Sequence, residues 1–82
     1  MTNIYVGNLD FATTEDQVRA LFEPYGSIET VTLVKDRGTG NSLGFAFLEM
    51  TNKGQADTAM KALDRTILDE RPLNINEAQP RR

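Results

Sequence analysis

The chain has 82 residues, a length that suits one small domain and is too short for two. Hydrophobic residues make up 39% and charged residues 26%, the balance of a folded protein rather than a disordered one. The sequence has neither cysteine nor histidine, which excludes disulfides, thiolate or imidazole metal sites, and Ser-His-Asp or Cys-His catalysis. We therefore expect no metal, no cofactor and no enzymatic activity.

The charge balance is mildly acidic. Twelve acidic residues against nine basic ones give a formal net charge of −3, which disfavours strong non-specific binding to duplex DNA. A nucleic acid held mainly by base stacking is compatible with this charge. No segment approaches the ~18 apolar residues of a membrane span, and the start lacks a basic region leading into an apolar stretch. We expect a cytoplasmic protein without a membrane partner.

The first half of the chain predicts a strand, a helix and a second strand. Residues 3–8 predict a strand, because β-branched and aromatic residues alternate in Ile4-Tyr5-Val6 and the run stops at Gly-Asn. Thr14 followed by Gln17 has the spacing of a helix capping box. One apolar stripe of the following helix comprises Val18, Leu21 and Phe22. Residues 28–34 predict the second strand, and residues 36–41 predict a loop rich in turn residues.

The second half of the chain repeats this order. Residues 44–50 predict a strand, and Asn52 with Gln55 offers another helix cap. The apolar stripe of the second helix comprises Ala56, Ala59, Met60 and Leu63. Residues 73–76 alternate as a final strand, and residues 80–82 look like a short tail.

This order predicts an α+β fold, a ferredoxin-like βαββαβ sandwich in which a four-stranded antiparallel sheet carries two helices on one face. Two helices can cover only one face of the sheet, so the other face is left open to water. The split topology places the first and third strands at the sheet centre. We assign residues 1–79 to this domain and residues 80–82 to the tail.

Alternation along the central strands decides which side chains lie on the open face. Glu49 lies on one face of the third strand and has no evident partner for its charge, so burying the side chains of that face would be costly. The same face contains Leu43, Phe45 and Phe47, and Tyr5 shares their side of the sheet. The alternative, with one or two rings in the core, would bury Glu49 instead. We name Tyr5, Phe45 and Phe47 the aromatic platform.

The opposite faces of the strands supply the predicted core, which packs against the helices. The strand residues in this core are Ile4, Val6, Val31, Leu33, Ala46, Leu48, Leu73 and Ile75. The helix residues that meet them are Val18, Leu21, Phe22, Ala59, Met60 and Leu63. Bases are natural partners for exposed rings, because stacking contributes about 1–3 kcal/mol per base and tolerates different sequences.

Over essentially its full length the chain resembles the RNA recognition motif family. Residues 4–9 (IYVGNL) match the first-strand motif of that family at every position, and residues 43–50 (LGFAFLEM) match the third-strand motif in its middle positions. The chain also resembles the small bacterial RNA-binding proteins that consist of one such motif. The resemblance implies single-stranded RNA as the ligand.

The resemblance also implies roles for individual residues. Tyr5 and Phe47 would each stack on a base, and Phe45 would pack against sugars or a neighbouring base. Residues flanking the platform that would touch bases or sugars are Thr32, Val34, Asn74 and Asn76. Gln79 resembles the segment after the sheet that reads base edges. Asn8 would close the strand end in a structural role.

Departures from the family pattern affect charge and backbone. Leu43 stands where the third-strand motif usually has Arg or Lys, so the phosphate contact expected there is missing although Leu43 still belongs to the predicted surface. The basic candidates near the sheet are Lys35, Arg37, Arg81 and Arg82, and an ordinary solvated charge is the alternative for each. Asp64-Arg65 and Glu70 stand where the family often has glycine, so the loop before the last strand differs or carries positive-φ strain.

Our first functional hypothesis is a monomeric module that binds single-stranded RNA with modest affinity and few phosphate contacts, with single-stranded DNA as an alternative ligand. The second is a protein-interaction module that uses the same sheet face or the acidic helix side, which carries Glu15, Asp16, Glu23 and Asp57. An enzyme is the least favoured class, because residues 37–40 lack the spacing and lysine of a phosphate-binding loop.

Overall fold

The computed structural model describes residues 2–78. Its main sheet consists of four strands, β1 (Thr2–Gly7), β2 (Ile28–Lys35), β3 (Ser42–Met50) and β6 (Asn74–Glu77). The sheet is antiparallel, and its spatial order is β2-β3-β1-β6. The helices are α1 (Glu15–Phe22) and α2 (Lys53–Leu63), and a separate hairpin pairs β4 (Ile67–Leu68) with β5 (Arg71–Pro72). The ferredoxin-like fold is confirmed, with β1 and β3 at the sheet centre as predicted.

Both helices begin at the caps that the sequence predicted. The Thr14 hydroxyl accepts a hydrogen bond from the Gln17 amide at 3.2 Å, and the Gln17 side chain accepts one from the Thr14 amide at 2.8 Å. Asn52 caps α2 by accepting a hydrogen bond from the Gln55 amide at 2.9 Å. Such caps satisfy backbone donors that the first helical turn leaves unpaired. Neither helix of the described chain is long and apolar enough to cross a membrane.

The hydrophobic core lies between the sheet and the two helices. Its fully buried centre includes Ile4, Val6, Ala46 and Leu48 from β1 and β3, with Phe22 from α1 as the largest side chain. Predicted core residues that are only partly buried, and pack at its margin, are Leu21, Val31 and Met60. Buried residues that the predicted core lacked are Leu9, Met50 and Ala56. The apolar faces of β1 and β3 therefore point to the helices, and their other faces point away.

The β4–β5 hairpin was not predicted from the sequence. Its two turn residues, Asp69 and Glu70, have φ values of 51° and 67°, the left-handed backbone that two-residue hairpins favour. Arg65 also has a positive φ of 67°, so the expected strain is present at Arg65 and Glu70. Asp64, in contrast, has an ordinary φ of −58°. Two side-chain hydrogen bonds hold the hairpin to the segment after β1. The Thr13 hydroxyl donates to the Asp69 carboxylate, and the Asn8 side-chain amide donates to the Pro72 carbonyl.

An irregularity near Gly44 shapes the start of β3. Leu33 pairs with Ala46 and Lys35 pairs with Ser42, so β3 contains extra residues between these pairs. Gly44 has a φ of 89°, which glycine adopts at little cost, and its carbonyl accepts a hydrogen bond from the Leu9 amide at 2.8 Å. β3 therefore begins two residues before the predicted start at residue 44, and its first residues leave the regular pleat.

Candidate functional site

Three aromatic rings form one cluster on the central strands. Tyr5 on β1 lies directly opposite Phe47 on β3, and their ring centroids are 5.8 Å apart. The Phe45 ring lies 5.9 Å from that of Tyr5 and 6.0 Å from that of Phe47. Neighbouring residues Ile4 and Ala46 are fully buried toward the helices. Because adjacent strand residues point to opposite faces, the rings of the aromatic platform lie on the face without helices.

The platform is accessible to a ligand. Phe47 is 40% exposed, and Tyr5 and Phe45 are half-buried. The interplanar angles are 35°, 59° and 85°, so no two rings cover each other face to face. Glu49 lies on the same side, where its carboxylate accepts a hydrogen bond from the Thr30 hydroxyl at 2.8 Å. The alternative assignment, with rings in the core, is therefore wrong.

Gly7 provides room for the Tyr5 ring. A Cβ atom at residue 7 would lie 2.4 Å from the Tyr5 hydroxyl oxygen and 2.6 Å from ring atom Cε2. The ring therefore lies along β1 and covers the backbone at Gly7. Any larger residue at this position would have to displace the far end of the tyrosine side chain.

Polar residues border the platform on both neighbouring strands. Thr32 on β2 pairs with Phe47, and Asn76 on β6 pairs with Tyr5. Asn74 pairs with Gly7, next to the Tyr5 ring. Thr32, Asn74 and Asn76 are exposed, whereas Val34 is half-buried further along β2. The structure thus brings the predicted flanking residues beside the rings, and their contact with a ligand stays a prediction.

Other predicted site residues lie outside the ring cluster. Lys35 is exposed and lines a concavity of about 430 Å³ together with Glu15 and Asp16 of α1. Leu43 is 47% exposed and lines a separate cleft beside the loop between β2 and β3. Arg37 is exposed within that loop. The predicted Gln79 lies outside the described residues.

Sequence reasoning missed Phe11, which is 68% exposed and lines the same cleft as Leu43. It occupies the segment between β1 and α1, which belongs neither to an alternating strand nor to a helical stripe. The sequence could have indicated this exposed ring, because Phe11 lies in a short turn segment and a turn offers an aromatic ring little to pack against.

Two features that the sequence raised, metal-ligating side chains and the glycine-containing loop, can be examined among the described residues. Among residues 2–78, no three His, Cys, Asp or Glu side chains are grouped to hold a metal ion. The loop that contains residues 37–40 is a closed turn, in which the Gly38 amide donates to the Asp36 carboxylate and the Gly40 amide donates to the Asp36 carbonyl, each at 2.8 Å. These two amides are therefore already engaged within the turn.

A ferredoxin-like sandwich with an exposed aromatic sheet face defines a class of ligand-binding domain, and comparison with known proteins assigns the chain within it. The model of the RNA recognition motif matches residues 4–74, and the chain belongs to this family. RbpD of Nostoc sp. is 45% identical over 78 residues, which cover 95% of this chain and 83% of RbpD.

Solved structures give the same assignment. The crystal structure of RNA Binding Protein PG1 aligns with a TM-score of 0.96 at 35% identity, covering 100% of this chain and 99% of that one. The Sxl-lethal protein/RNA complex aligns with a TM-score of 0.87 at 35% identity, covering 94% of this chain and 47% of that one. The predicted family and fold are therefore both confirmed.

Proposed function

We propose that this domain binds single-stranded RNA on the aromatic platform. One observation carries the proposal: three rings touch one another on the helix-free face of the sheet and remain open to water. Tyr5 and Phe47 each stack on a base, and Phe45 packs against sugars or a neighbouring base. Stacking contributes about 1–3 kcal/mol per base, and one sheet of this size holds a short stretch of about two to four nucleotides.

Residues beside the rings supply the polar contacts. Thr32, Asn74 and Asn76 are exposed and paired with platform or adjacent residues, so their hydroxyl and amide groups can reach base edges or sugars. Val34 extends the flank on β2. Gln79 joins this proposal on the family resemblance alone.

Phosphate contacts are few. The net charge is −3, and Leu43 takes the place of a basic residue in the third-strand motif. We expect two or three cations to contact RNA phosphates. A plot of the logarithm of affinity against the logarithm of salt concentration should then have a slope of about −1.5 to −2. Affinity is therefore modest and depends on stacking more than on charge.

The ligand class is drawn from the relatives as well as from the rings. PG1 is described as an RNA-binding protein, and the Sxl-lethal protein was solved with RNA. Stacking alone also accommodates single-stranded DNA, so preference for RNA requires contacts to the 2′-hydroxyl.

We propose a monomer in the cytoplasm that acts by binding rather than by catalysis. A protein-interaction role for the sheet face or the acidic helix side is not favoured.

The test compares two truncations of exposed side chains. Tyr5→Ala removes a platform ring, whereas Ile67→Ala removes a side chain that is 63% exposed on the separate hairpin. Binding of fluorescently labelled single-stranded RNA of random sequence is followed by anisotropy, and DNA of matched sequences serves as competitor. We expect Tyr5→Ala to weaken binding by about 5- to 150-fold and Ile67→Ala to leave it unchanged. Equal losses in both variants, or no binding by the unmodified domain at about 1 mM RNA, would refute the proposal.

A further inference from the structure

Exposed apolar side chains continue past the platform at one end of the sheet. Phe11 is 68% exposed and Leu43 is 47% exposed, compared with 40% for Phe47 of the platform. Phe11 and Leu43 line one cleft of about 650 Å³, which we name the Phe11 cleft. Its remaining lining residues are Asp36, Thr39, Asn41 and Ser42. Leu43 lies two residues before Phe45 on β3, so the cleft adjoins the platform along this strand.

The backbone around Phe11 is fixed on both sides of the residue. Leu9 is buried, and its amide donates to the Gly44 carbonyl at 2.8 Å. The Ala12 amide donates to the Asp10 carboxylate at 2.8 Å, and the Thr13 amide donates to the Asp10 carbonyl at 3.0 Å. Phe11 is therefore displayed at the tip of a hydrogen-bonded turn. Such preorganisation reduces the entropy that a ligand must overcome on binding.

The Phe11 ring also lies against the strand that carries the platform. A Cβ atom built at Gly44 would be 3.5 Å from Cε1 of Phe11, which is ordinary contact distance. Gly44 separates Leu43 from Phe45 in the chain. One irregular residue of β3 thus lies between the platform and the cleft, and a single extended strand of nucleic acid could contact both surfaces.

The lining of the cleft also includes hydrogen-bonding groups. Asn41 contributes an amide with two donors and an acceptor, and among residues 2–78 this side chain forms no hydrogen bond. The Thr39 hydroxyl accepts a hydrogen bond from the backbone amide of Asn41 at 3.3 Å, and it can still donate a hydrogen bond to a ligand. A lining that combines apolar side chains with polar groups suits a base, which is recognised by stacking together with hydrogen bonds along its edge.

The charges near the cleft are compatible with a nucleotide. Asp36 is the carboxylate in the lining, and it already accepts a hydrogen bond from the Gly38 amide. Arg37 is exposed in the same loop and offers a cation for the phosphate. Glu15 and Asp16 line the other concavity beside Phe11, so two acidic side chains discourage RNA from taking that path.

We propose that the Phe11 cleft binds one further nucleotide of single-stranded RNA, adjacent to the bases on the platform. The base packs on Phe11 and Leu43, and the Asn41 amide reads its edge. This inference rests on the proposed function, because the extra nucleotide must continue a strand already held by Tyr5 and Phe47.

The experiment measures affinity against RNA length. Random-sequence single-stranded RNAs that increase one nucleotide at a time are titrated into the unmodified domain and into Phe11→Ala, Phe11→Tyr and Ile67→Ala. We expect a step of about 5- to 150-fold in affinity at the length that first reaches the cleft. Phe11→Ala should lose this step and keep its affinity for shorter RNAs, whereas Phe11→Tyr and Ile67→Ala should keep the step. Backbone amide shifts of Asn41 and Leu43 should change only with RNAs long enough to show the step.

The other outcomes separate this inference from the proposed function. If Phe11→Ala binds RNAs of every length as the unmodified domain does, the cleft does not bind RNA. An equal loss at every length would also overturn the inference, because Phe11 would then act on the platform itself. If Tyr5→Ala leaves short RNAs unaffected, the proposed function fails first. Binding of an octapeptide of alternating leucine and arginine that Phe11→Ala abolishes, with RNA binding unchanged, would instead identify a peptide site.

Discussion

Removal of the Phe47 ring should weaken RNA binding and should destabilise the fold much less than removal of a core ring does. Phe47 is 40% exposed, and its ring contacts within the platform are those with Tyr5 at 5.8 Å and Phe45 at 6.0 Å between centroids. Complete burial of such a side chain contributes about 1.5–3 kcal/mol. For a ring left partly in water we therefore expect Phe47→Ala to lower the free energy of unfolding by about 1–2 kcal/mol.

A core phenylalanine provides the comparison. Phe22 is fully buried, so Phe22→Ala should cost about 3–5 kcal/mol of unfolding free energy. Both variants can be measured by urea denaturation followed by circular dichroism. RNA affinity of Phe47→Ala should fall by about 5- to 150-fold, whereas Phe47→Tyr, which keeps a flat ring, should bind nearly as the unmodified domain does. The reasoning is refuted if Phe47→Ala destabilises the fold as much as Phe22→Ala, or if its RNA affinity is unchanged.

Three further predictions follow from local geometry. Gly7→Ala should displace the Tyr5 ring and reduce RNA affinity about 5-fold or more without loss of helix content; unchanged affinity would show that the ring position is unimportant. Arg37→Gln should make the salt dependence of RNA binding shallower by about 0.7 in slope, and an unchanged slope would exclude a phosphate contact at Arg37. Glu70→Gly should raise the free energy of unfolding by about 1 kcal/mol, since a non-glycine residue in left-handed backbone costs about 1–2 kcal/mol and Glu70 has a φ of 67°. Glu70→Ala is its control, and an equal gain there would contradict the backbone explanation.

The regular parts of the fold could be predicted because local patterns and long-range packing agree there. The capping residues Thr14 and Asn52 mark the helix starts that the structure shows. Alternation in β1 and β3 placed Tyr5 and Phe47 on one face, and the strands pair at these two residues. A single carboxylate, Glu49, was enough to decide which face is open to water.

The irregular parts depend on backbone geometry that residue patterns do not encode. Asp69 and Glu70 form a turn with positive φ values, although neither is a residue that signals such a turn strongly. Gly44 interrupts the start of β3, so Leu43 lines the Phe11 cleft instead of joining the ring cluster. Lys35 was expected near the open sheet surface, but it lines a concavity beside α1, on the side of β2 that Leu33, two residues before it, also faces.

The position of RNA relative to the rings can be measured most directly by nuclear Overhauser effects between the domain and a short single-stranded RNA. We expect contacts from the ring protons of Tyr5 and Phe47 to base protons, and from Phe45 to ribose or base protons, with upfield shifts of the stacked bases. Contacts from the RNA to exposed side chains of α1 and α2, with the ring protons unaffected, would contradict this expectation.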